Sequence, residues 1–306
     1  MVDPMIPMEP VSRENLFQSE DWLYQVKWDG VRMLAYLEGA EIELFNRKQR
    51  RRTENYPEVV QAAATLSCSS AILDGEIVVM NQGKADFFQV LKRELISNRK
   101  KLSTLMRKIP VHYMVFDILS HNGESLMDQP LEERLQVLSH LIPTDSQEVI
   151  HRCESFDDGF GLWRFTGEKA WEGVVMKKRQ GVYRPARKDP SWQKVKHFQK
   201  LTATMVGVFY SGSQVHSLLL GIKDEGRWIY IGRVGSGLKE EERRLLTDAL
   251  SSLKREDPSV INPPTGRNPG VIWVEPILRV DVRYLEWTPQ GTLRSPTVVG
   301  FRLPES

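Results

Sequence analysis

The stretch YQVKWDGVR, residues 24–32, decides the fold of the chain's first half. Before Lys27 the residues alternate as in a half-buried strand, Asp29 and Gly30 are typical of a turn, and Val31–Leu37 continues as a second strand. Lys27 is therefore predicted at a strand end, where its amine can face a pocket. A free lysine amine has a pKa near about 10.4, so it is nucleophilic at neutral pH only if burial or cations lower that value. A hairpin with a solvated lysine is the competing interpretation.

Length and composition indicate a two-domain protein. The chain has 306 residues, of which 41% are hydrophobic, and its charged residues, 27% of the total, nearly balance to +2. Two domains with proper cores are expected, and local charge clusters matter more than total charge. The two cysteines, Cys68 and Cys153, do not form a metal-type pair and are predicted to be reduced. The sequence shows no membrane-length apolar run and no signal peptide at its start, so we expect a cytoplasmic protein.

The first strands are predicted to form an antiparallel meander, with Trp22–Val26, Val31–Leu37 and Glu41–Phe45 as neighbours. The run NRKQRRR, residues 46–52, follows directly and holds five cations in seven residues. It is either a solvated loop or a phosphate-binding segment, and its position after strands that would bound the Lys27 pocket keeps the second possibility open. Residues 1–20 are predicted to be an extended lead-in on the surface, with no chemical role.

Charged residues interrupt later strands that are otherwise apolar. Glu76 lies in a strand over Ala71–Met80, so it either pairs with a basic residue or faces a site as an acceptor or metal ligand. Glu172 likewise begins a buried strand. Lys194 and Lys196 share one strand face and repel each other unless an anion lies between them, although lysines on an edge strand also guard against aggregation.

From residue 202 onward short strands and glycine-containing turns predict a small closed β-barrel of OB type with one polar helix over Lys239–Leu253. A short hinge at Phe198–Leu201 sets the predicted domains at residues 1–200 and 201–306. The expected fold class is α+β, an antiparallel-sheet first domain followed by an OB-fold β-barrel domain.

Several motifs, taken in order, resemble those of the ATP-dependent DNA ligases of the covalent nucleotidyltransferase superfamily. They are KWDGVR at 27–32, NR at 46–47 with ENYP at 54–57, LDGE at 73–76, FD at 116–117, EGVVMK at 172–177 and WQKVK at 192–196. Further details resemble the ligase module of bacterial ligase D: DF at 86–87, YRP at 183–185, YIGRVG at 230–235 and EWTP at 286–289. The resemblance covers almost the whole chain and makes the first domain a nucleotidyltransferase (adenylation) domain.

The resemblance implies an adenylation site. Lys27 would attack the α-phosphorus of ATP and hold AMP as a phosphoramidate, with Mg²⁺ or Mn²⁺, Lys194 and Lys196 lowering its pKa. Phe116 would lie against the adenine. The remaining implied roles are Arg47 and Glu76 near the ribose, Gln25 and the Val26 backbone at the adenine edge, Arg32 and Lys177 in the nucleotide site, and Asp29, Glu76 and Glu172 as metal ligands. Gln25 stands where ligase D relatives are expected to carry an acidic residue. Because an amide accepts one hydrogen bond and donates another, the preference for ATP should survive with altered strength.

The resemblance also implies nicked duplex DNA as the substrate. The predicted DNA contacts are Arg50, Arg51, Arg52, Arg184 and Arg187. Many ligases carry a basic motif that covers the pyrophosphate, and its candidates here are Arg294 and Arg302. Some relatives have a lysine after that arginine, but this sequence has none there and continues to Pro304, Glu305 and Ser306. We expect a monomer, with the Ku end-binding protein as a partner at breaks. Two alternatives stay open, an RNA ligase or capping-type guanylyltransferase with the same lysine chemistry, and a non-catalytic nucleic-acid-binding module.

Overall fold

A computed structural model describes residues 3–96, 98–144, 148–212, 214–264 and 270–302. The chain divides into two compact units, Met1–His197 and Phe198–Ser306. The boundary predicted at residues 200 and 201 falls just inside the second unit.

The first unit contains two main sheets with helices packed on them. Its strands are β1 (Glu9–Ser12), β2 (Trp22–Val26), β3 (Val31–Glu38), β4 (Glu41–Asn46), β5 (Ser70–Val78), β6 (Met80–Asn81), β7 (Lys84–Ala85), β8 (His112–His121), β9 (Glu124–Ser125), β10 (Ile150–Arg152), β11 (Gly173–Lys178) and β12 (Lys188–Lys196). Its helices are α1 (Pro57–Ala63), α2 (Phe87–Glu94), α3 (Leu102–Lys108), α4 (Leu131–Leu141) and α5 (Gly159–Glu168), with 3₁₀ turns at Thr53–Asn55 and Arg99–Lys101.

The predicted meander is wrong at its first connection. One sheet has the order β1-β12-β11-β2, and the other has the order β10-β8-β5-β3-β4, so β2 and β3 belong to different sheets. The chain crosses between the sheets instead of turning back. At Gly30 an added Cβ would lie 2.1 Å from the carbonyl oxygen of Ile77, so the glycine is needed for this close passage. Lys27 therefore lies between two sheets, at the point of crossing.

The prediction that residues 1–20 lie on the surface is also wrong in part. Strand β1 pairs in parallel with β12, and Met8, just before it, is fully buried. The carbonyl of Met8 accepts a hydrogen bond of 3.2 Å from Arg32 Nη2. This early segment forms one wall of the region around Lys27.

A buried ion pair holds β8 in place behind that region. Arg134 of α4 and Asp117 of β8 are both fully buried, and two hydrogen bonds of 2.8 Å join the guanidinium to the carboxylate. Arg134 also donates to the carbonyls of Gln129 and Gly181. This pairing fixes the strand beside Phe116 because a buried charge requires its partner.

In its described residues, the second unit is a closed sheet with one helix. Its elements are β13 (Gln199–Ser211), β14 (Gln214–Asp224), β15 (Arg227–Val234), α6 (Glu240–Leu253), β16 (Lys254–Arg255), β17 (Val271–Val274), β18 (Arg279–Tyr284) and β19 (Thr297–Arg302). The long β13 pairs with β14 on one edge and with β17 and β18 on the other. Backbone N–H groups of Leu293 and Val298 donate to the carbonyls of Ile231 and Ser236, 2.8 and 2.9 Å away, which closes the sheet onto β15. The expected OB-type barrel with one helix is confirmed.

None of the helices in the described ranges combines the length and apolar character that crossing a membrane requires.

Candidate active site

The Lys27 amine lies against a carboxylate shared with a second lysine. Lys27 follows β2 directly, and its N–H donates to the Gly173 carbonyl at 2.9 Å. Its Nζ is 2.5 Å from Oε2 of Glu172, and Nζ of Lys196 is 2.7 Å from Oε1 of the same carboxylate. The structure thus brings together three residues that sequence reasoning assigned to one site.

The charges around Lys27 raise its pKa. Burial alone lowers the pKa, but the carboxylates of Glu172, Glu76 and Asp29 outweigh burial and raise it above its usual value. Burial likewise opposes the charge on Glu172, yet Lys27 and Lys196 hold its pKa below the usual range. Glu172 thus stabilises the ammonium form, and the lowering of the Lys27 pKa expected from Mg²⁺ with Lys194 and Lys196 stays a prediction.

A small pocket beside Lys27 contains most of the residues predicted to contact the nucleotide. Its volume is about 70 Å³, and it is lined by Pro10, Gln25, Val26, Lys27, Trp28, Arg32, Glu76, Phe116, Val175, Lys177 and Trp192. Gln25 of β2 lies opposite Val175 of β11, so these two strands form one wall. Phe116 of β8 belongs to the other sheet, and the pocket therefore lies between the sheets.

Two cations occupy the surroundings of Phe116. Arg32 forms hydrogen bonds of 2.5 and 2.6 Å with the buried carboxylate of Asp74, to which Tyr183 also donates at 2.7 Å. Burial opposes the charge on Arg32, but Asp74 outweighs it and raises the Arg32 pKa. The guanidinium carbon of Arg32 is 4.6 Å from the centroid of the Phe116 ring. A cation over an aromatic face is attracted by the ring's quadrupole, so Arg32 is held here by two groups.

Lys177 is the second of these cations, and its side chain is 2% exposed. Its Nζ donates to the Phe116 carbonyl at 3.0 Å and lies 4.0 Å from the centroid of the Trp192 ring. Burial lowers the pKa of Lys177 from 10.5 to about 8. The small pocket beside Lys27, called the nucleotide pocket below, thus has a positively charged wall formed by Arg32 and Lys177.

The three predicted metal ligands lie around Lys27. Burial raises the pKa of Glu76 to about 8. The charges of Lys27 and Arg32 lower this pKa, whereas those of Glu172 and Asp29 raise it further. These carboxylates are therefore close enough to repel one another, and a bound cation would relieve that repulsion. Oxygen donors suit Mg²⁺ or Mn²⁺. In the part of the chain that the structure describes, no three acidic, histidine or cysteine side chains form a ready-made metal cluster.

A larger basic pocket of about 540 Å³ adjoins the first one. The two share Pro10, Lys27, Arg32 and Glu76, and the cations that line the larger one further out are Arg47, Lys48, Arg50, Arg52 and Lys194. Arg47 is 3.3 Å from Glu9, and Arg52 is 2.8 Å from Glu94.

Lys194 in this basic pocket forms no salt bridge among the described residues. Burial, with help from Lys27 and Lys196, lowers its pKa, although the carboxylates of Glu9 and Glu172 oppose this effect from a greater distance. Of the two lysines predicted to share an anion, Lys196 forms an ion pair with Glu172. Lys194 is therefore the one available to bind an incoming anion.

The remaining predicted DNA contacts lie outside that pocket. Arg51 pairs with Glu43 and Glu54, and Arg184 lies 3.5 Å from Asp189. Arg187 is exposed beyond the pocket. Among the predicted DNA-binding arginines, the structure therefore places only Arg50 and Arg52 in the pocket.

In the second unit, Arg294 is 2.7 Å from Glu286, and Arg302 is 2.7 Å from Asp281. The chain end at 304–306 lies outside the described residues.

Sequence reasoning gave no role to several residues that the structure places at the site. Asp74 was recognisable as an acid in a buried strand, but its partners Arg32 and Tyr183 are far from it in sequence. Pro10, which lines both pockets, gave no signal, because it does not belong to a patterned segment.

Comparison with known proteins agrees with this geometry. The family model for the ATP dependent DNA ligase domain matches residues 4–196, and the model for the ATP dependent DNA ligase C terminal region matches residues 211–303. The multifunctional non-homologous end joining DNA repair protein LigD of Mycobacterium tuberculosis is 32% identical over 292 residues, covering 93% of this chain and 36% of that protein. A DNA ligase of Thermococcus fumicolans is 27% identical, covering 98% of this chain and 56% of that protein. The chain thus spans about a third of the LigD relative and about half of the archaeal one.

Solved structures agree as well. The crystal structure of the ligase domain from M. tuberculosis LigD has a TM-score of 0.54 at 28% identity, covering 97% of this chain and 95% of that one. A mycobacterial DNA ligase D complexed with ATP and MES has a TM-score of 0.52 at 28% identity, covering 98% and 96%. Matches of this extent to both halves of the chain, together with Lys27 at a pocket between two sheets, identify the chain as a member of the ATP-dependent DNA ligase family.

Proposed function

We propose that this chain seals nicks with 3′-OH and 5′-phosphate ends in duplex DNA, through AMP carried on Lys27 and then on the DNA. The observation that supports this most directly is the position of the Lys27 amine. It lies where a nucleotide pocket meets a basic pocket, 2.5 Å from Glu172. A nucleophile in that position can take AMP from one side and pass it to a DNA phosphate on the other.

The first step requires Lys27 to lose the proton that Glu172 stabilises. A triphosphate that enters beside Lys194 would bring negative charge to a lysine that forms no salt bridge among the described residues. Mg²⁺ or Mn²⁺, held by Asp29, Glu76 and Glu172, would supply positive charge to the phosphates. If Glu172 were engaged by such a cation, Lys27 would lose the partner that raises its pKa, which favours loss of the proton from its amine. Its Nζ then forms a bond to the α-phosphorus, the bond to pyrophosphate breaks, and the proton leaves to solvent.

DNA would approach over the basic pocket that contains Arg50 and Arg52. Affinity of this kind comes mainly from neutralised phosphates, so binding through this pocket should be salt-sensitive. The LigD relatives are named for non-homologous end joining. These names support a role in DNA repair by end joining. We further propose that the protein acts in the cytoplasm as a monomer and that Ku recruits it to double-strand ends.

The alternative of an RNA ligase or a capping-type enzyme is not favoured, because both matching family models are those of DNA ligases.

The test is incubation with ATP labelled at its α-phosphate, followed by a chase with nicked duplex DNA. The wild-type protein should form an acid-labile adduct that disappears as the nick is sealed. Lys27→Ala should form no adduct, whereas the exposed Lys178→Ala, a matched lysine on β11, should behave as the wild type. An adduct on Lys27→Ala would show that the nucleophile is another residue. Transfer to nicked RNA but not to DNA would support the alternative.

A further inference from the structure

A closed ring of hydrogen bonds holds one edge of the Arg32 guanidinium. Its Nη2 donates to Oδ2 of Asp74 at 2.6 Å and to the Met8 carbonyl at 3.2 Å. The hydroxyl of Tyr183 donates to the same Oδ2 at 2.7 Å and accepts from the Met8 N–H at 3.1 Å. The ring therefore joins β3, β5 and the loop before β12 to the segment that precedes β1.

The partners of the Tyr183 hydroxyl fix the direction of both its hydrogen bonds. A backbone N–H only donates and a carboxylate only accepts, so the hydroxyl accepts from Met8 and gives its own proton to Asp74. Burial, together with the charge of Asp74, raises the pKa of Tyr183 well above its usual value, so the hydroxyl keeps that proton. Tyr183 and Asp74 are both buried, and a buried bond of this kind is unfavourable to leave unmade.

The ring determines which nitrogen of Arg32 is left for a ligand. Among the described residues, the hydrogen bonds of Arg32 use Nε and Nη2, and none of them uses Nη1. Arg32 lines both the nucleotide pocket and the basic pocket. A guanidinium binds phosphate oxygens through donors in a fixed planar arrangement, so its orientation decides whether it can reach them. An anion in either pocket would therefore meet Nη1 in the orientation that the ring imposes.

We propose that Tyr183 is a positioning residue of the ligase reaction, which holds Arg32, through Asp74 and the Met8 peptide, in the orientation that presents Nη1 to the reacting phosphates. This inference rests on the proposed function. Tyr183 itself lines neither pocket, so it acts through Arg32 alone.

The test is Tyr183→Phe, which removes the proton given to Asp74 and keeps the aromatic ring against Trp192, with 5.7 Å between the ring centroids. The measured quantity is the rate constant for formation of the protein-AMP adduct at saturating ATP. It should fall roughly tenfold, because a misplacement of about 1 Å in a group that positions a substrate can cost up to about a hundredfold.

Tyr36→Phe is the matched control. The hydroxyl of Tyr36 accepts a hydrogen bond of 2.9 Å from the Met5 N–H, in the same segment before β1, and Tyr36 lines neither pocket. Its loss removes a comparable anchor of that segment without touching the bonds of Arg32. The rate constant should therefore change less than twofold in Tyr36→Phe.

A second background separates positioning of Arg32 from a general structural effect. In Arg32→Lys the planar guanidinium is absent, so adding Tyr183→Phe should lower the rate constant less than twofold further, while the melting temperature still falls. If Arg32→Lys forms too little adduct to measure, the comparison of Tyr183→Phe with Tyr36→Phe decides alone.

Several results would overturn the proposal. They are a wild-type rate constant in Tyr183→Phe, an equal loss in Tyr36→Phe, a full tenfold loss again in the Arg32→Lys background, and unfolding of Tyr183→Phe at room temperature, which would show a structural role. If the wild-type protein forms no adduct with ATP, the proposed function fails and takes this inference with it. A wild-type rate in Tyr183→Phe refutes only the role of Tyr183.

Discussion

Replacing Lys177 with methionine should remove the pH dependence of stability that arises from burial of the Lys177 amine. Lys177 is buried between the Phe116 carbonyl and the Trp192 ring, and burial lowers its pKa from 10.5 to about 8. The folded protein therefore releases this proton at a lower pH than the unfolded chain does. Below about pH 8 the full penalty of the buried charge is present, and stability should rise as the pH increases from about 8 to 10.5.

The size of the effect follows from that interval. One pKa unit corresponds to about 1.4 kcal/mol, so the interval sets an upper limit of roughly 3 kcal/mol on the change in unfolding free energy. We expect about 1 to 2 kcal/mol, because the hydrogen bond to the Phe116 carbonyl and the nearby rings stabilise part of the charge. Lys177→Met loses that hydrogen bond at every pH, so its absolute stability is less informative than its pH dependence.

The measurement is chemical denaturation near pH 7 and near pH 10 for the wild type, Lys177→Met and Lys178→Met. Lys178 is the matched control, as the next residue on β11 with an exposed side chain. The gain in stability between the two pH values should be smaller by about 1 to 2 kcal/mol in Lys177→Met and unchanged in Lys178→Met. An equal gain in all three proteins would refute the argument that burial suppresses the Lys177 charge.

Four further outcomes test other parts of the structure. Lys196→Ala should slow adduct formation more than tenfold while the melting temperature changes by less than about 3 °C, and unfolding at room temperature would indicate a structural role instead. Arg134→Ala should cost about 3 to 5 kcal/mol in urea denaturation, because Asp117 is left buried and unpaired; a loss below about 1 kcal/mol would contradict this. Gly30→Ala, whose Cβ would lie 2.1 Å from the Ile77 carbonyl oxygen, should lower both melting temperature and adduct formation, and wild-type values would show that the crossing tolerates a side chain. Raising salt from about 50 to 200 mM should reduce nick sealing at least tenfold and adduct formation much less, whereas equal sensitivity would count against weak phosphate-based DNA binding.

Local sequence patterns predicted the strands of the site better than they predicted which strands pair with each other. The alternation before Lys27 correctly placed a strand over Trp22–Val26 and the lysine at its end. This alternation could not show which strand pairs with Trp22–Val26, because a two-residue repeat of apolar side chains indicates only which face of a strand is buried. Asp29 and Gly30 are typical of a hairpin turn, yet here the glycine serves a close passage between sheets.

The chemistry of the pocket was predictable where a residue type is unusual for its place. Acids such as Glu172 in an apolar strand stood out, and so did the pair of lysines on one strand face. The charge state of Lys27 was not predictable, because it depends on distances of 2.5 and 2.7 Å within the group around Glu172.

The parallel pairing of β1 with β12 has a consequence for the order in which the protein is made. The ribosome produces Glu9 among the first residues of this domain, but its register partner Lys188 only near the domain's end. The wall that Pro10 contributes to both pockets therefore cannot be in place on a partial chain, and such long-range pairings form late because the intervening loop must close first. The nascent protein cannot hold ATP in its finished pocket until the whole nucleotide-binding domain has left the ribosome.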